Sequence, residues 1–343
     1  MPTSPFNIVD MILKLGKKQP LSAKEMTLAM EQIVGGDASD GQIEEFLLAL
    51  RKKGESIEEI IAAAKVMRKH AVHLSKEIPD LLDTCGTGGD EQRTLNVSTL
   101  SALVACAAGV KVAKHGNRSV SSVCGSADLL EMLGVKIDLG PEKVLRSIEE
   151  TGFGFFFAPQ FHPATKAATP ARKKIKGKTL FNLLGPLANP ANATRQLLGV
   201  YEERLVPLFA EALLKLGIER AMVVHGDDGM DEISLSAATD VAEIKEGKIT
   251  RYRVMPENFN LKQEPIENLR VSSKEESCDV ALKVIRGDVN AASKIVCLNT
   301  AAALVVAGKA RVMKEGLLMA MDVLENGSVE KKLKQIAQFS QKA

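Results

Sequence analysis

Between Asp83 and Thr99 the chain reads DTCGTGGDEQRTLNVST, which puts three glycines, Gly86, Gly88 and Gly89, inside four residues. Glycine lets the backbone turn through positive φ and lets a ligand approach the main chain closely. The turn follows an apolar run at Leu81-Leu82 and leads into Thr94, Asn96, Ser98 and Thr99, residue types suited to opening a helix. A turn that feeds a helix start points amides outward, where an anion can sit, and the hydroxyls around it can reach a phosphate or a hydrated metal ion. No lysine lies within the turn, so it is not the GxxxxGKS/T nucleotide loop.

Three further stretches carry chemistry. Just before KHGNRSVSSVCGSADLL the run VKVA predicts a strand whose end releases Lys114, His115, Asn117 and Arg118 into a loop with Ser119, Ser121 and Ser122, and Ser126 opens the next helix. A loop rich in cations and hydroxyls at a strand's carboxyl end suits a phosphate-bearing ligand. His115 reads as a hydrogen-bonding loop residue, not a base. VVHGDDGMDEIS sets His225 at a strand end and follows it with Asp227, Asp228, Asp231 and Glu232. Taken alone this is a surface acidic loop; beside a phosphate site it suits Mg²⁺, which keeps few protein ligands and shares the rest with substrate oxygens. Arg172, Lys173 and Lys174 form a basic helix face from which an arginine can grip a carboxylate at two points. His70 and His73, one helical turn apart with no third ligand in sight, read as exposed helix residues.

The elements that position these residues follow from composition and periodicity. The 343 residues are 45% hydrophobic and 26% charged with a net charge of +2, an ordinary globular composition that gives no general attraction to nucleic acid or membrane. Five cysteines without a CxxC pair read as reduced thiols of a cytosolic protein. The N-terminal stretch lacks a signal-peptide core and no apolar run is long enough to span a bilayer, so a cytoplasmic location is expected. Up to about Leu74 the apolar spacing predicts four short helices, the second opened by the capping box Ser22–Glu25 and the fourth at Ser56. From Pro79 short apolar runs alternate with helical ones: LLDTC, VKVAKHG, VKIDLG, FGFFFA, RQLLGVY and RAMVVHG. That alternation predicts an α/β fold with a mostly parallel central sheet, whose sites lie beyond the carboxyl ends of its strands. Glu232 to Val254 reads as antiparallel strands turning at EGK, and three helices from about Ser277, Ala291 and Lys314 close the chain. A helical domain of residues 1–76, joined by a segment near 165–190, and an α/β domain of residues 77–343 are expected.

In their order along the chain, GTGGD (Gly86–Asp90), NVST (Asn96–Thr99), KHGNR (Lys114–Arg118), GSAD (Gly125–Asp128), FNLLGPLANP (Phe181–Pro190) and DGMDEIS (Asp228–Ser234) resemble the anthranilate phosphoribosyltransferase family. The resemblance runs on to LNTAAALVVAGKA near the end. It departs at Leu95, where the family often has an aromatic residue, and at Cys124, where serine is common. It implies a small helical domain beside a nucleoside phosphorylase/phosphoribosyltransferase type α/β domain, a homodimer formed through the helical part, and no nucleic-acid or membrane partner. It implies transfer of a phosphoribosyl group from phosphoribosyl pyrophosphate to the amine of anthranilate in tryptophan biosynthesis, with Mg²⁺ as cofactor. By position, Gly86, Gly89, Asp90, Thr94, Asn96, Val97, Ser98 and Thr99 would hold phosphoribosyl pyrophosphate. Lys114, His115, Gly116, Asn117, Arg118, Ser119, Val120, Ser121, Ser122 and Ser126 would complete that grip. Gly86, Asn117 and Arg172 would position anthranilate, and Ser98, Asp231 and Glu232 would ligate the metal; no catalytic residue is singled out. A pyrimidine nucleoside phosphorylase would lack both the paired Asp231-Glu232 and the KHGNR loop, and a non-catalytic nucleic-acid binder would need a basic groove.

Overall fold

The computed structural model describes residues 7–119 and 123–343, so Val120, Ser121 and Ser122 of the expected phosphate loop lie outside the described residues. Four helices come first: α1 (Ile8–Gly16), α2 (Ala23–Gly35), α3 (Asp40–Lys53) and α4 (Ile57–Lys69). The amides of a helix's first turn have no partner within it, and here serines supply one. Ser22, Ser39 and Ser56 each accept from the residue three further on, and Glu25, Gln42 and Glu59 accept back from the cap N–H. Glu59 is fully buried, where it also takes the Leu21 N–H and the Lys53 ammonium. His70 and His73, read as exposed helix residues, both lie beyond the end of α4, which stops at Lys69 where the Val72 N–H turns to Phe161 O; His73 is exposed and His70 half-buried. His70 lies 2.6 Å from Glu31.

The chain then runs through β1 (Leu82–Gly86), α5 (Val97–Ala107), β2 (Val112–Gly116), α6 (Ser126–Met132), α7 (Pro141–Thr151) and β3 (Phe153–Phe157). Three short helices follow: α8 (Ala158–Phe161), α9 (Thr169–Lys174) and α10 (Leu180–Leu184). The sheet resumes with β4 (Arg195–Gly199), α11 (Leu205–Lys215), β5 (Arg220–Gly226), β6 (Thr239–Lys245) and β7 (Lys248–Val254). The final helices are α12 (Lys274–Ile285), α13 (Ala291–Val306), α14 (Met313–Glu325) and α15 (Ser328–Lys342). These elements form two compact units: residues up to Val72 with Pro159–Pro190, which is helical, and His73–Ala158 with Ala191–Ala343, which is α/β. Among the described residues no helix is long and apolar enough to cross a membrane.

The sheet has seven strands in the order β3-β2-β1-β4-β5-β6-β7, parallel from β3 to β5 and antiparallel from β5 to β7. The chain winds outward from β1 through β2 and β3, then restarts at β4 on the other side of β1. Strand order therefore reverses between β1 and β4, and the carboxyl ends of those two strands are where such sheets bind ligands. The β6–β7 hairpin turns at Glu246 and Gly247, both at positive φ, as a two-residue turn of the favoured twist requires.

Two expectations differ from what forms. VKIDLG makes no strand: its Lys136 N–H donates to Ser340 Oγ of α15, not to a sheet neighbour. The chain ends in four helices because Gly327, at φ 75°, breaks the run from Lys314 after Asn326. Helix α13, apolar around most of its circumference, is buried on nearly every side and packs against α5 and α14.

Candidate active site

The tips of β1 and β4 meet at Gly86 and Gly199, which lie opposite each other in the ladder. Neither could carry a side chain. A Cβ on Gly199 would stand 1.5 Å from Asp231 O, and one on Gly86 would stand 2.5 Å from Asp231 Oδ2. The acidic loop therefore lies directly on the two strand ends. The glycine turn reaches it as well, since the Gly88 N–H donates to Asp231 Oδ2 at 3.0 Å. The turn itself is fastened to β4 by Thr87 N–H to Gly199 O (2.9 Å) and Tyr201 N–H to Thr87 Oγ1 (3.1 Å).

Helix α5 is capped from outside its own sequence. Asn96 stands at the cap position, yet its side chain donates to Cys124 O at 2.8 Å, which corrects the expectation that one of the polar residues here caps the helix. The Ser98 N–H donates instead to Glu232 Oε1 at 3.0 Å, placing a carboxylate where a helix start favours negative charge. Val97 and Thr99 point into the core. Thr94 forms an isolated bridge with Arg270.

Lys114 lies inside β2, not in the loop beyond it, because the strand continues to Gly116. Only 1% exposed, its ammonium donates to Thr84 O at 2.6 Å and Ser98 Oγ at 3.3 Å. Burial pushes its pKa down, while Asp83, Cys85 and Glu232 oppose that. This cation thus sits beneath the site and supports it from below.

The four carboxylates of DDGMDE separate by role. Asp227 pairs with Arg253, and Asp228 accepts from Ser234 Oγ, Ser236 Oγ and the Met230 N–H, which shapes its own loop. Asp231 and Glu232 remain, side by side and partly exposed at the strand ends. Burial and then the nearby Asp90 charge push Asp231 up to about 7; burial and then Asp231 push Glu232 well above its ordinary value. Crowded carboxylates of this kind favour a cation between them. Among the described residues no three His, Cys, Asp or Glu side chains close into a protein-only metal cage. Two carboxylates beside a serine at a helix start fit Mg²⁺, which takes one or two carboxylates and fills its remaining positions with water and substrate phosphate.

The loop after β2 is tied down at both described ends by one side chain. Asp128 Oδ2 accepts from the N–H groups of Ser119 and Gly125, each at 3.0 Å, and Asp128 Oδ1 takes Lys274 at 2.8 Å. Asn117 O accepts from Ser126 Oγ and the Ala127 N–H, both at 3.2 Å. The His115 N–H donates to Asp83 Oδ1 at 3.3 Å. A Cβ on Gly116 would lie 2.2 Å from Ser126 Oγ, so the loop closes tightly. Arg118 grips Glu131 with both terminal nitrogens and lies 5.7 Å from the centre of the Phe157 ring. Although burial pushes Asp128 up, Lys274 and the two amides outweigh it and hold its carboxyl at about 2. That value is below the ordinary one, so the contribution to stability is present above about pH 4 and fades as pH falls through 2. Asp128→Asn is expected to cost about 2 kcal/mol in urea unfolding at pH 7 and clearly less at pH 2.5. An equal cost at both pH values would contradict it.

In the α/β unit the sequence-identified Gly86, Gly88, Asp90, Ser98, Lys114, Asp231 and Glu232 thus gather around the ends of β1, β2 and β4. Arg172 belongs to the helical unit, on α9. Its guanidinium lies 4.9 Å from the centre of the Phe181 ring, burial lowers its pKa, and it has no ion pair among the described residues. Sequence reasoning missed Gly199, which looked like the end of a strand, and Asn299, a lone amide inside the apolar run CLNTAAALVVA.

Residues 78–330 match the sequence family described as glycosyl transferase family, a/b domain, and residues 9–71 match its helical bundle domain. The anthranilate phosphoribosyltransferase of Petrotoga mobilis is 46% identical over 327 residues, 95% of each chain. The crystal structure of the Thermus thermophilus anthranilate phosphoribosyltransferase superimposes with a TM-score of 0.91 at 41% identity, over 97% of this chain and 99% of that one. The Saccharomyces cerevisiae anthranilate phosphoribosyltransferase in complex with PRPP and Mg superimposes with a TM-score of 0.90 at 27% identity, over 99% of both chains.

Proposed function

The chain belongs to the anthranilate phosphoribosyltransferases, and from that premise we propose how its residues share the work of the reaction. It transfers the phosphoribosyl group of 5-phosphoribosyl 1-pyrophosphate to anthranilate with the help of Mg²⁺, giving N-(5-phosphoribosyl)anthranilate and pyrophosphate in tryptophan biosynthesis. The observation that carries the division of roles is the Asp231-Glu232 pair, held on the glycine tips of β1 and β4 beside Ser98.

Asp231, Glu232 and Ser98 hold Mg²⁺, which when bound offsets the negative charge of the departing pyrophosphate. The turn from Gly86 to Asp90, Thr94, the start of α5 from Asn96 to Thr99, and the end of β2 and its loop from His115 to Ser119, with Ser126, bind phosphoribosyl pyrophosphate, and Lys114 supports them from beneath. Gly86 and Gly89 let the main chain come close, and the start of α5 favours the negative charge of a phosphate. Lys114 keeps positive charge under the site without occupying it. As the bond from ribose C1 to pyrophosphate breaks, the sugar gains oxocarbenium character, and the enzyme's task is to steady the leaving charge and aim the amine at C1. The aryl amine is neutral at pH 7, so attack requires no base at the outset.

For anthranilate, Gly86 and Asn117 contribute backbone and amide, and Arg172 offers a planar guanidinium, already packed on Phe181, to the carboxylate. Losing such a charge-assisted pair costs roughly 1.5–3 kcal/mol, so Arg172→Ala is expected to raise KM for anthranilate about 10- to 100-fold and change KM for phosphoribosyl pyrophosphate far less. Equal rises in the two KM values would remove Arg172 from this role.

Exposed Val9 and Leu13 on α1 and Leu48 on α3, which packs against α1, support a homodimer formed through the helical unit; sedimentation equilibrium distinguishes one chain from two. The five cysteines, all free and buried, support a reducing, cytoplasmic setting, which fractionation of the native host checks. The function itself is tested through anthranilate's own fluorescence. A loss of signal that needs phosphoribosyl pyrophosphate and Mg²⁺ and stops with EDTA is expected. A folded protein that leaves the fluorescence unchanged would point to another phosphoribosyl acceptor.

A further inference from the structure

Asn299 sits in the middle of α13, fully buried among apolar neighbours. A buried amide must find partners for both its ends, and the partners chosen here are specific. Oδ1 accepts the Ile233 N–H at 2.8 Å, and Nδ2 donates to Ile233 O at 2.9 Å and to Ile295 O at 3.0 Å. One side chain therefore grips both backbone groups of a single residue, as a neighbouring strand would. That residue follows Glu232 directly. On the other side of the acidic pair, Asp231 O lies against Gly199 with no room for a methyl group. Asp231 and Glu232 are thus held at both ends by uncharged groups, while their charges repel each other.

The same helix also sets the position of Ser98. Helix α5 packs along α13, and Ser101 Oγ donates to Val296 O at 3.3 Å, one turn before Asn299. Ser98 on α5 and Glu232 in the acidic loop, which meet through the Ser98 N–H, are therefore both referenced to α13.

We propose that Asn299 is a positioning residue for the transfer reaction: its amide, clamped on the Ile233 backbone, sets the Glu232 carboxylate at a fixed place relative to Ser98. It touches neither substrate nor metal and acts only through Ile233. The proposal rests on the assignment of Asp231, Glu232 and Ser98 to Mg²⁺. Leucine, of similar size, could not replace it, since the Ile233 N–H and C=O would be left buried without partners.

The test measures binding of phosphoribosyl pyrophosphate by calorimetry across a series of Mg²⁺ concentrations, with melting temperature recorded alongside. Groups that orient metal ligands from behind typically govern about 10- to 100-fold of metal affinity, so Asn299→Ala is expected to raise the half-saturating Mg²⁺ concentration about 10-fold. Binding of anthranilate alone is expected to stay near the wild-type level. A lower melting temperature with an unmoved Mg²⁺ midpoint would mean that Asn299 serves packing alone, and would overturn the proposal. If Asn299→Ala fails to fold, Asn299→Ser decides on the same criterion, since serine keeps a polar group in the core yet is too short to grip both backbone groups of Ile233. Binding in the wild type that ignores Mg²⁺ altogether would instead overturn the metal assignment beneath the proposal.

Discussion

Gly199→Ala is expected to lower kcat/KM by about 100-fold or more while the sheet still forms, because reacting groups displaced by an ångström lose activity on that scale. The argument depends on which property of glycine is used. Gly199 is not among the residues at positive φ, so alanine suits its backbone conformation. What alanine cannot do is share space with Asp231, whose carbonyl oxygen would lie 1.5 Å from the new methyl carbon. The carbonyl is main chain and the position of a Cβ is fixed by its own backbone, so no side-chain rotation relieves the overlap and the acidic loop must lift from the strand ends. It would carry Asp231 and Glu232 away from Ser98 and the glycine turn. Gly140→Ala is the matched control: its Cβ meets nothing within 4 Å and its φ is −67°. Circular dichroism and steady-state kinetics on both variants check the result. Near wild-type kinetics for Gly199→Ala would contradict the close packing of loop on strand.

Glu232→Gln is expected to separate activity from stability in the opposite direction. The substitution keeps the shape and leaves an oxygen to accept the Ser98 N–H, but removes the charge. Removing one preorganised electrostatic group costs roughly 100- to 1000-fold in rate, and a fall of that size in kcat is expected, partly recovered with excess Mg²⁺. Stability should not fall with it. Burial and Asp231 raise the Glu232 pKa, so above the ordinary carboxylate range the fold works against ionisation of this side chain, and a neutral glutamine relieves that cost. A melting temperature at pH 7 equal to or above wild type is therefore expected. A marked drop in melting temperature together with lost activity would show that Glu232 serves the fold.

What could be read from the sequence was local. The serine caps of α2 and α4, the glycine turn after β1 and the EGK hairpin depend on residues a few positions apart, and each forms where its pattern lies. Contacts between distant segments left no such trace. Asp227, Asp228, Asp231 and Glu232 look alike in the sequence; Arg253 and two serines claim the first two, and the strand tips the others. Lys114 was legible as a cation at the end of a strand but not as one buried beneath the strand tips, since an apolar run does not reveal how far a strand continues. VKIDLG has the pattern of a strand, yet its Lys136 N–H donates to Ser340 Oγ of α15. Gly199 and Asn299 act on a loop that lies more than thirty residues away in the chain, and a single sequence carries no mark of that.

The most direct measurement is anomalous diffraction from crystals soaked with Mn²⁺ and phosphoribosyl pyrophosphate, Mn²⁺ standing in for Mg²⁺. The account predicts a peak within coordination distance of the Asp231 and Glu232 carboxylates and Ser98, with the pyrophosphate against the Gly86–Asp90 turn. A metal bound away from that pair, or a pyrophosphate that leaves the glycine turn untouched, would contradict it.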